Sequence, residues 1–218
     1  MKKEDNNNNQ GIMAVDLGLP SGTLWGDRNV GAGSPEDSGA FFSWGNTVPH
    51  YPSHGTADWG YSDGAFDQSF DEATYKESEG SRLRGDIGLA HDAARVNLGE
   101  PWQMPTREQF QELVDNCDWI RKTVNGVNGY LAVSRINGNT IFFACSGYGF
   151  GSSWSGRGGI GVYWSASFSS ARDARYLYFY SGGVNPQNYY YRYYGFAVRP
   201  VQNIVRPTDQ FPNSTISQ

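Results

Sequence analysis

His50 and His54 stand four apart, the spacing at which a helix turns two imidazoles toward one zinc ion, but Pro49 and Pro52 forbid that helix. A metal is therefore not expected there. Cys117 and Cys145 are the only cysteines and match no metal-ligand spacing. Cys117 closes an amphipathic stripe and Cys145 an apolar strand-like run, so both are expected buried as small hydrophobes, with a disulfide between them the lesser alternative. Gly147-Tyr148-Gly149-Phe150-Gly151 and Gly156-Arg157-Gly158-Gly159-Ile160-Gly161 lack the lysine and hydroxyl residue of a phosphate loop, and strand-like sequence follows them. They read as tight turns. Arg84-Gly85-Asp86 spells an adhesion tripeptide that chance accounts for.

The chemistry that remains is recognition. Nine of the 14 tyrosines fall in the last quarter of the chain, at Tyr163, Tyr176, Tyr178, Tyr180, Tyr189, Tyr190, Tyr191, Tyr193 and Tyr194, among Ser, Gly, Asn and Arg. Tyrosine offers a large amphipathic contact area with two torsions to freeze, and Ser, Gly and Asn add adaptable hydrogen bonds, the bias seen in antibody paratopes. High strand propensity is the competing explanation. In Tyr176-Leu177-Tyr178-Phe179-Tyr180, however, the pleat sends Leu177 and Phe179 to one face and the tyrosines to the other, and only one face is expected to meet the core. The run Tyr189 to Tyr194 has no period, so at least half of its rings are expected outside any single packed face.

These residues need a scaffold, and the rest of the chain supplies one. At 218 residues, 38% hydrophobic, 18% charged and with 28 glycines, it reads as a loop-rich globular protein. A net charge of -5, with no lysine after Lys122, argues against a phosphate-tracking surface and so against nucleic acid as partner. No stretch approaches the roughly 20 apolar residues of a membrane span. The basic start Met1-Lys2-Lys3 lacks the apolar region of a complete signal peptide. Residues 1–12 are expected to be a disordered tail, 13–201 one domain, and 202–218 a loose C-terminal tail. Two short strands are expected around Pro20-Ser21-Gly22, a helix start at Ser34-Pro35-Glu36-Asp37, a helix from Gly88 to Asn97 and a long surface loop over 46–82. A clearer helix begins at Thr106, where Gln109 completes a capping box and Phe110, Leu113, Val114 and Cys117 form one stripe. Tyr130 to Ile136 and Thr140 to Cys145 alternate about Asn137-Gly138-Asn139, a hairpin signal. The order is α+β, with two or three helices and several short, mostly antiparallel strands.

Several stretches together resemble one family. Val15-Asp16-Leu17-Gly18-Leu19-Pro20-Ser21-Gly22-Thr23-Leu24-Trp25, Asp92-Ala93-Ala94-Arg95, Trp102-Gln103-Met104-Pro105-Thr106, Asn125-Gly126-Val127-Asn128-Gly129-Tyr130, Tyr163-Trp164-Ser165 and Gly195-Phe196-Ala197-Val198-Arg199-Pro200 look like the C-type-lectin-fold variable proteins of diversity-generating retroelements. They also match the related paralogous domain of bacterial surface proteins. The resemblance spans roughly residues 14–201. It implies a C-type lectin fold and a C-terminal variable region, about 163–200, in which template adenines are miscopied during reverse transcription, converting asparagine codons to Tyr, Ser, Asp, Gly, Ala, Arg, Phe and others. By resemblance, Trp164, Leu177, Phe179, Val184-Asn185-Pro186-Gln187-Asn188, Arg192, Gly195-Phe196 and Val198-Arg199-Pro200 are a core frame. The ligand-facing interruptions are then Ala166, Phe168, Ser170, Ala171, Arg172, Asp173, Tyr176, Tyr178, Tyr180, Gly183, Tyr189, Tyr190, Tyr191, Tyr193 and Tyr194. The implied function is non-catalytic binding of a protein or glycan receptor, without cofactor, from a phage particle or bacterial surface and with multivalent display.

The same resemblance raises three rivals. A fixed bacterial surface adhesin shares the fold. Formylglycine-generating oxidases also share it, but they would need a soft copper-thiolate pair in the groove, and no cysteine lies in the tyrosine-rich segment. A calcium-dependent sugar site would put a carboxylate beside the central proline, whereas Pro186 is flanked by Asn185 and Gln187 and Asp173 is the only acid from Gly147 to Val201. Asn185 and Asn188 are instead expected to bond nearby backbone.

Overall fold

The structure, a computed structural model, describes residues 11–51, 87–150, 153–170 and 172–203. His54, Arg84-Gly85-Asp86, Ala171, the 46–82 stretch beyond Tyr51 and most of both expected tails lie outside the described residues. Two α-helices occur among the described residues, α1 (Ala93–Leu98) and α2 (Arg107–Asn116). In α2 the Thr106 hydroxyl accepts from the Gln109 amide at 3.2 Å and the Gln109 side chain accepts from the Thr106 amide at 2.8 Å, closing both halves of the capping box. Phe110 and Leu113 are buried beneath it.

The helix expected from Gly88 to Asn97 is broken. A 3-10 turn, Leu89–His91, gives way to an extended Asp92, whose carboxylate accepts from the Arg95 amide at 2.9 Å and the Met104 amide at 2.8 Å. Helix α1 therefore starts only at Ala93. No helix forms at Ser34-Pro35-Glu36-Asp37. There the Asp37 carboxylate accepts from the amides of Gly33 and Gly39, at 3.0 and 3.2 Å, and folds the segment into a turn, the alternative that short polar side chains offer the backbone.

The expected strands around Pro20 are present. β1 (Ala14–Asp16) and β2 (Leu24–Gly26) pair antiparallel and continue into β14 (Val201–Gln202) and β4 (Trp102–Gln103), in the order β1-β2-β14-β4. A second sheet is made by β5 (Cys117–Val124), β6 (Val127–Ser134) and β7 (Thr140–Ala144). Its first hairpin turns on Asn125 and Gly126, at φ 47° and 81°, the pair of positive φ angles a two-residue primed turn requires. Its second is the hairpin expected around Asn137-Gly138-Asn139. Cys117 and Cys145 are free and buried. Cys117 pairs with Ser134, while the Cys145 amide donates to the Asn128 carbonyl six residues along β6. At about 3.3 Å per residue the two thiols are roughly 20 Å apart, which rules out the disulfide.

The sheet that carries the tyrosines has the order β12 (Gly183–Tyr191), β11 (Asp173–Tyr180), β10 (Gly161–Phe168), β13 (Phe196–Ala197) and β3 (Phe41–Phe42). Only the β10–β13 pairing is parallel. One face is sealed: Tyr163, Leu177, Phe179 and Ala197 pack with Phe110 and Leu113 of α2, Phe143 and Trp25. Gly161 lies opposite Phe179, and a Cβ there would overlap the Phe179 ring, so glycine is required. On the other face Val162, Trp164, Ala166, Ala174, Tyr176 and Phe196 join Trp44, Met104 and the α1 residues Ala93 and Ala94. The Trp164 indole stacks on Phe196 at 4.0 Å and donates to the Phe42 carbonyl at 2.7 Å. The architecture is thus mixed α+β with mostly antiparallel strands. Among the described residues no helix is long and apolar enough to cross a membrane.

Candidate binding groove

The second face of the tyrosine-bearing sheet is covered along only part of its length. Cross-strand register puts Val162 beside Tyr178, Trp164 beside Tyr176, Tyr176 beside Asn188 and Ala174 beside Tyr190, all on this face. Along β11 the cover runs out. Tyr176 is 7% exposed, Tyr178 is half-buried and Tyr180 is 43% exposed. The expectation that all three rings lie outside the core is therefore corrected for Tyr176, because a second cluster packs on the face that a one-core reading left open.

Where the cover ends lies a groove of about 310 Å³ lined by Tyr148, Ile160, Val162, Tyr176, Tyr178, Asn188, Tyr190, Tyr194 and Phe196. Its floor is buried: Val162, Phe196 and Tyr176. Its walls are rings at steep mutual angles. Tyr190 meets Tyr194 edge-on at 4.7 Å and 83°, Tyr176 meets Tyr178 at 6.3 Å and 68°, and Tyr148 tilts against Tyr194 at 5.5 Å and 56°. Tyr148 belongs to β8 (Tyr148–Phe150), which pairs with β9 (Ser153–Ser155) and is held by the Gly149 amide donating to the Gly195 carbonyl at 2.8 Å. Gly147, at φ 68°, makes the turn that aims it; a Cβ there would overlap the Ser155 carbonyl.

Burial, with neighbouring phenols adding to it, raises the Tyr176 hydroxyl above the ordinary tyrosine range, and Tyr178 and Tyr194 shift the same way. No Asp, Glu, Lys, Arg or His side chain lines the groove.

The other expected contact residues fall into three groups. Tyr189 is on the opposite face of β12, where Arg175 lies 5.3 Å over its ring, whereas at the strand's end the Tyr191 ring lies beside the groove, 5.4 Å from Tyr190 and 6.4 Å from Tyr194, with Arg172 4.8 Å over it. Tyr189, Arg172 and Gly183 are exposed and Tyr191 is half-buried. Ser170 and Asp173 tie their own loop: the Ser170 hydroxyl donates to the Asp173 carboxylate at 2.7 Å and accepts from the Asp173 amide at 3.0 Å. Ala166 and Tyr193, at 6% and 5% exposure, are interior and do not line the groove, which corrects their expected surface placement. Ala166 is captured between the Pro105 carbonyl and the Ile87 amide, and the Tyr193 ring stacks on Tyr191 at 5.5 Å. Half-buried Phe168 lies beneath the Arg192 guanidinium, 5.0 Å away. Ala171 lies outside the described residues.

Tyr148, Ile160 and Val162 were not anticipated. The glycines around Tyr148 signalled only a turn, and the alternation that places Val162 beside Tyr178 emerges once β10 and β11 are paired. Most of the expected frame is interior, with Trp164, Leu177, Phe179, Arg192, Val198 and Arg199 fully buried, but Val184, Gln187 and Asn188 are half-buried and Asn185 is exposed, which corrects their expected core placement: they lie on the outermost strand of the sheet, β12. Arg199 donates to the Asn29 side chain at 2.8 Å and to the Gly26 and Phe142 carbonyls at 3.0 and 2.6 Å, and desolvation lowers its pKa to about 10. Asn185 and Asn188 accept from the amides of Gln187 and Tyr189 at 2.9 and 3.0 Å, the backbone-bonding role expected of them.

A larger cleft of about 470 Å³, between Glu36, Tyr51, Asn125 and Arg157, has its acids engaged: Glu36 accepts from Asn125 and Asp37 from two backbone amides. Among the described residues no three His, Cys, Asp or Glu side chains converge as a metal set would. Comparisons with family models, curated proteins and solved structures found no match to this chain.

Proposed function

We propose that this chain is a non-catalytic ligand-binding protein of C-type-lectin-like fold, whose tyrosine-rich surface is diversified by a retroelement to grip protein or glycan receptors. The observation that carries the reading is the separation of two residue sets along the same strands. The frame residues Trp164, Leu177, Phe179, Arg192 and Arg199 are fully buried, while Tyr178, Tyr180, Tyr189 and Tyr190 between them reach the surface. Such a division lets contact residues change while the core stays the same, the property a variable binding surface needs. The motif stretches support the fold assignment in kind: each contributes scaffold contacts, such as the Asp92 cap, the Trp164 stack and the Arg199 network. Display on a phage particle or bacterial surface would add avidity through effective concentration.

The test uses labelled wild-type protein and the variant Tyr178→Ser/Tyr180→Ser/Tyr190→Ser, each on multivalent beads, against a glycan array and a panel of intact bacterial cells. The expected result is adhesion by the wild type to at least one target and its loss in the variant, with both proteins equally folded by circular dichroism. Equal adhesion by both, or none by the wild type, contradicts the reading.

A further inference from the structure

The walls of the groove are five phenols and one phenyl ring, and no charged side chain lines it. Four arginines already sit over aromatic faces, Arg175 on Tyr189, Arg192 on Trp44 and Phe168, Arg199 on Phe143 and, beside the groove, Arg172 on Tyr191, all at 4.6 to 5.3 Å, so this chain repeatedly pairs guanidinium with aromatic rings. Among the described residues none of the groove's rings carries such a partner. Tyr178 stacks on Tyr180, Tyr194 on Phe150 and Phe196 on Trp164, which occupies one face of each. The steep angles between Tyr176 and Tyr178 and between Tyr190 and Tyr194 set the rings and the phenols of Tyr148, Tyr176, Tyr178 and Tyr190 around one space, an arrangement that favours a cation, whereas a flat sugar ring is better served by one open platform. At about 310 Å³ the space is at the small end for ligand cavities, of roughly 300–1,000 Å³, so it suits a single inserted side chain.

We infer that the groove is an aromatic box for one arginine side chain projecting from a protein receptor, its guanidinium held between Tyr178, Tyr190 and Tyr194 above the Phe196 floor. This deepens the proposed function and rests on it. The rings supply the attraction through their faces, and the hydroxyls, with the Asn188 side chain at the rim, accept from the guanidinium N–H groups.

The probes are N-acetyl-arginine amide, its neutral isostere N-acetyl-citrulline amide, and methyl glycosides of common hexoses. Each is titrated into protein carrying ¹³C-labelled tyrosine rings and followed by NMR. The arginine probe should move the Tyr178, Tyr190 and Tyr194 resonances and bind about 5- to 30-fold more tightly than citrulline. Tyr190→Leu, a change at a 40% exposed ring, should remove most of that preference while the protein stays folded. Equal binding of arginine and citrulline, preferential binding of a glycoside, or no shift at those rings overturns the inference. If the serine variant still loses adhesion to its target in that case, the binding surface stands and only its occupant is wrong; adhesion that survives in the variant sinks the proposed function itself.

Discussion

Truncating Tyr176 and Tyr180 separately to alanine distinguishes a ring that belongs to the core from one that belongs to the surface, though the two stand four residues apart on one strand. Tyr176 is 7% exposed, with Phe196 at 5.0 Å and Trp164 at 6.0 Å. Removing a buried aromatic ring costs about 3–5 kcal/mol through lost burial and the cavity left behind. The Tyr176 ring also lines the groove, so part of the vacated space opens to solvent, and the lower end, about 3 kcal/mol, applies. At about 2–4 °C per kcal/mol for a chain of this length, the melting temperature should fall by roughly 6–12 °C. Tyr180 is 43% exposed and its main ring contact is the stack on Tyr178 at 5.3 Å. Its truncation should cost at most about 1 kcal/mol. Thermal scans by circular dichroism in one buffer measure both. A Tyr176→Ala protein melting within about 2 °C of wild type, or a Tyr180→Ala protein falling as far as Tyr176→Ala, would refute the division of β11 into covered and open halves.

Thr106→Ala removes one half of the α2 capping box and should cost about 1 kcal/mol in urea unfolding, with Gln109→Ala non-additive because the two side chains act as one cap. Arg199→Met strips the donor from Asn29 and two buried carbonyls and should destabilise by about 3–5 kcal/mol, enough to reduce soluble yield visibly. Burial pushes the Cys117 thiol up to about 11 from its ordinary 9.0, so its contribution to stability is fully present below pH 9 and is lost as pH rises through 11. Chemical denaturation across that window should lose about 2 kcal/mol more in wild type than in Cys117→Ala, and parallel curves would contradict this. Adhesion measured with and without excess chelator should be unchanged, since the one acid of the segment, Asp173, is engaged by Ser170.

The sequence was most informative where local and tertiary signals agreed. The α2 cap, the Asn137-Gly138 hairpin and the strand alternation of Tyr176 to Tyr180 each have a short-range cause, and each is present. Strand β5 was not read because Arg121, Lys122 and Thr123 lie on an exposed outer strand whose partners are set by tertiary context. The Ser34 helix does not form because the Asp37 carboxylate bonds the Gly33 and Gly39 amides and holds the segment in a turn. In the groove, alternation told which way the tyrosines point but not how far the covering cluster extends. That extent is fixed by Trp44, Phe196 and α1, distant in sequence from β11. Tyr176, Tyr193 and Ala166 therefore looked the same from the sequence as Tyr178 and Tyr180.

The measurement that bears most directly on the account is deep sequencing of the segment encoding residues 163–200 across a population of the source, together with a search of its genome for a reverse transcriptase and a near-copy of that segment. The account predicts both, with substitutions concentrated at Tyr178, Tyr180, Tyr189, Tyr190, Tyr191 and Tyr194 and with Trp164, Leu177, Phe179, Arg192, Phe196 and Arg199 constant. An invariant segment with no near-copy, or substitutions that strike the buried frame as often as the open tyrosines, would contradict it.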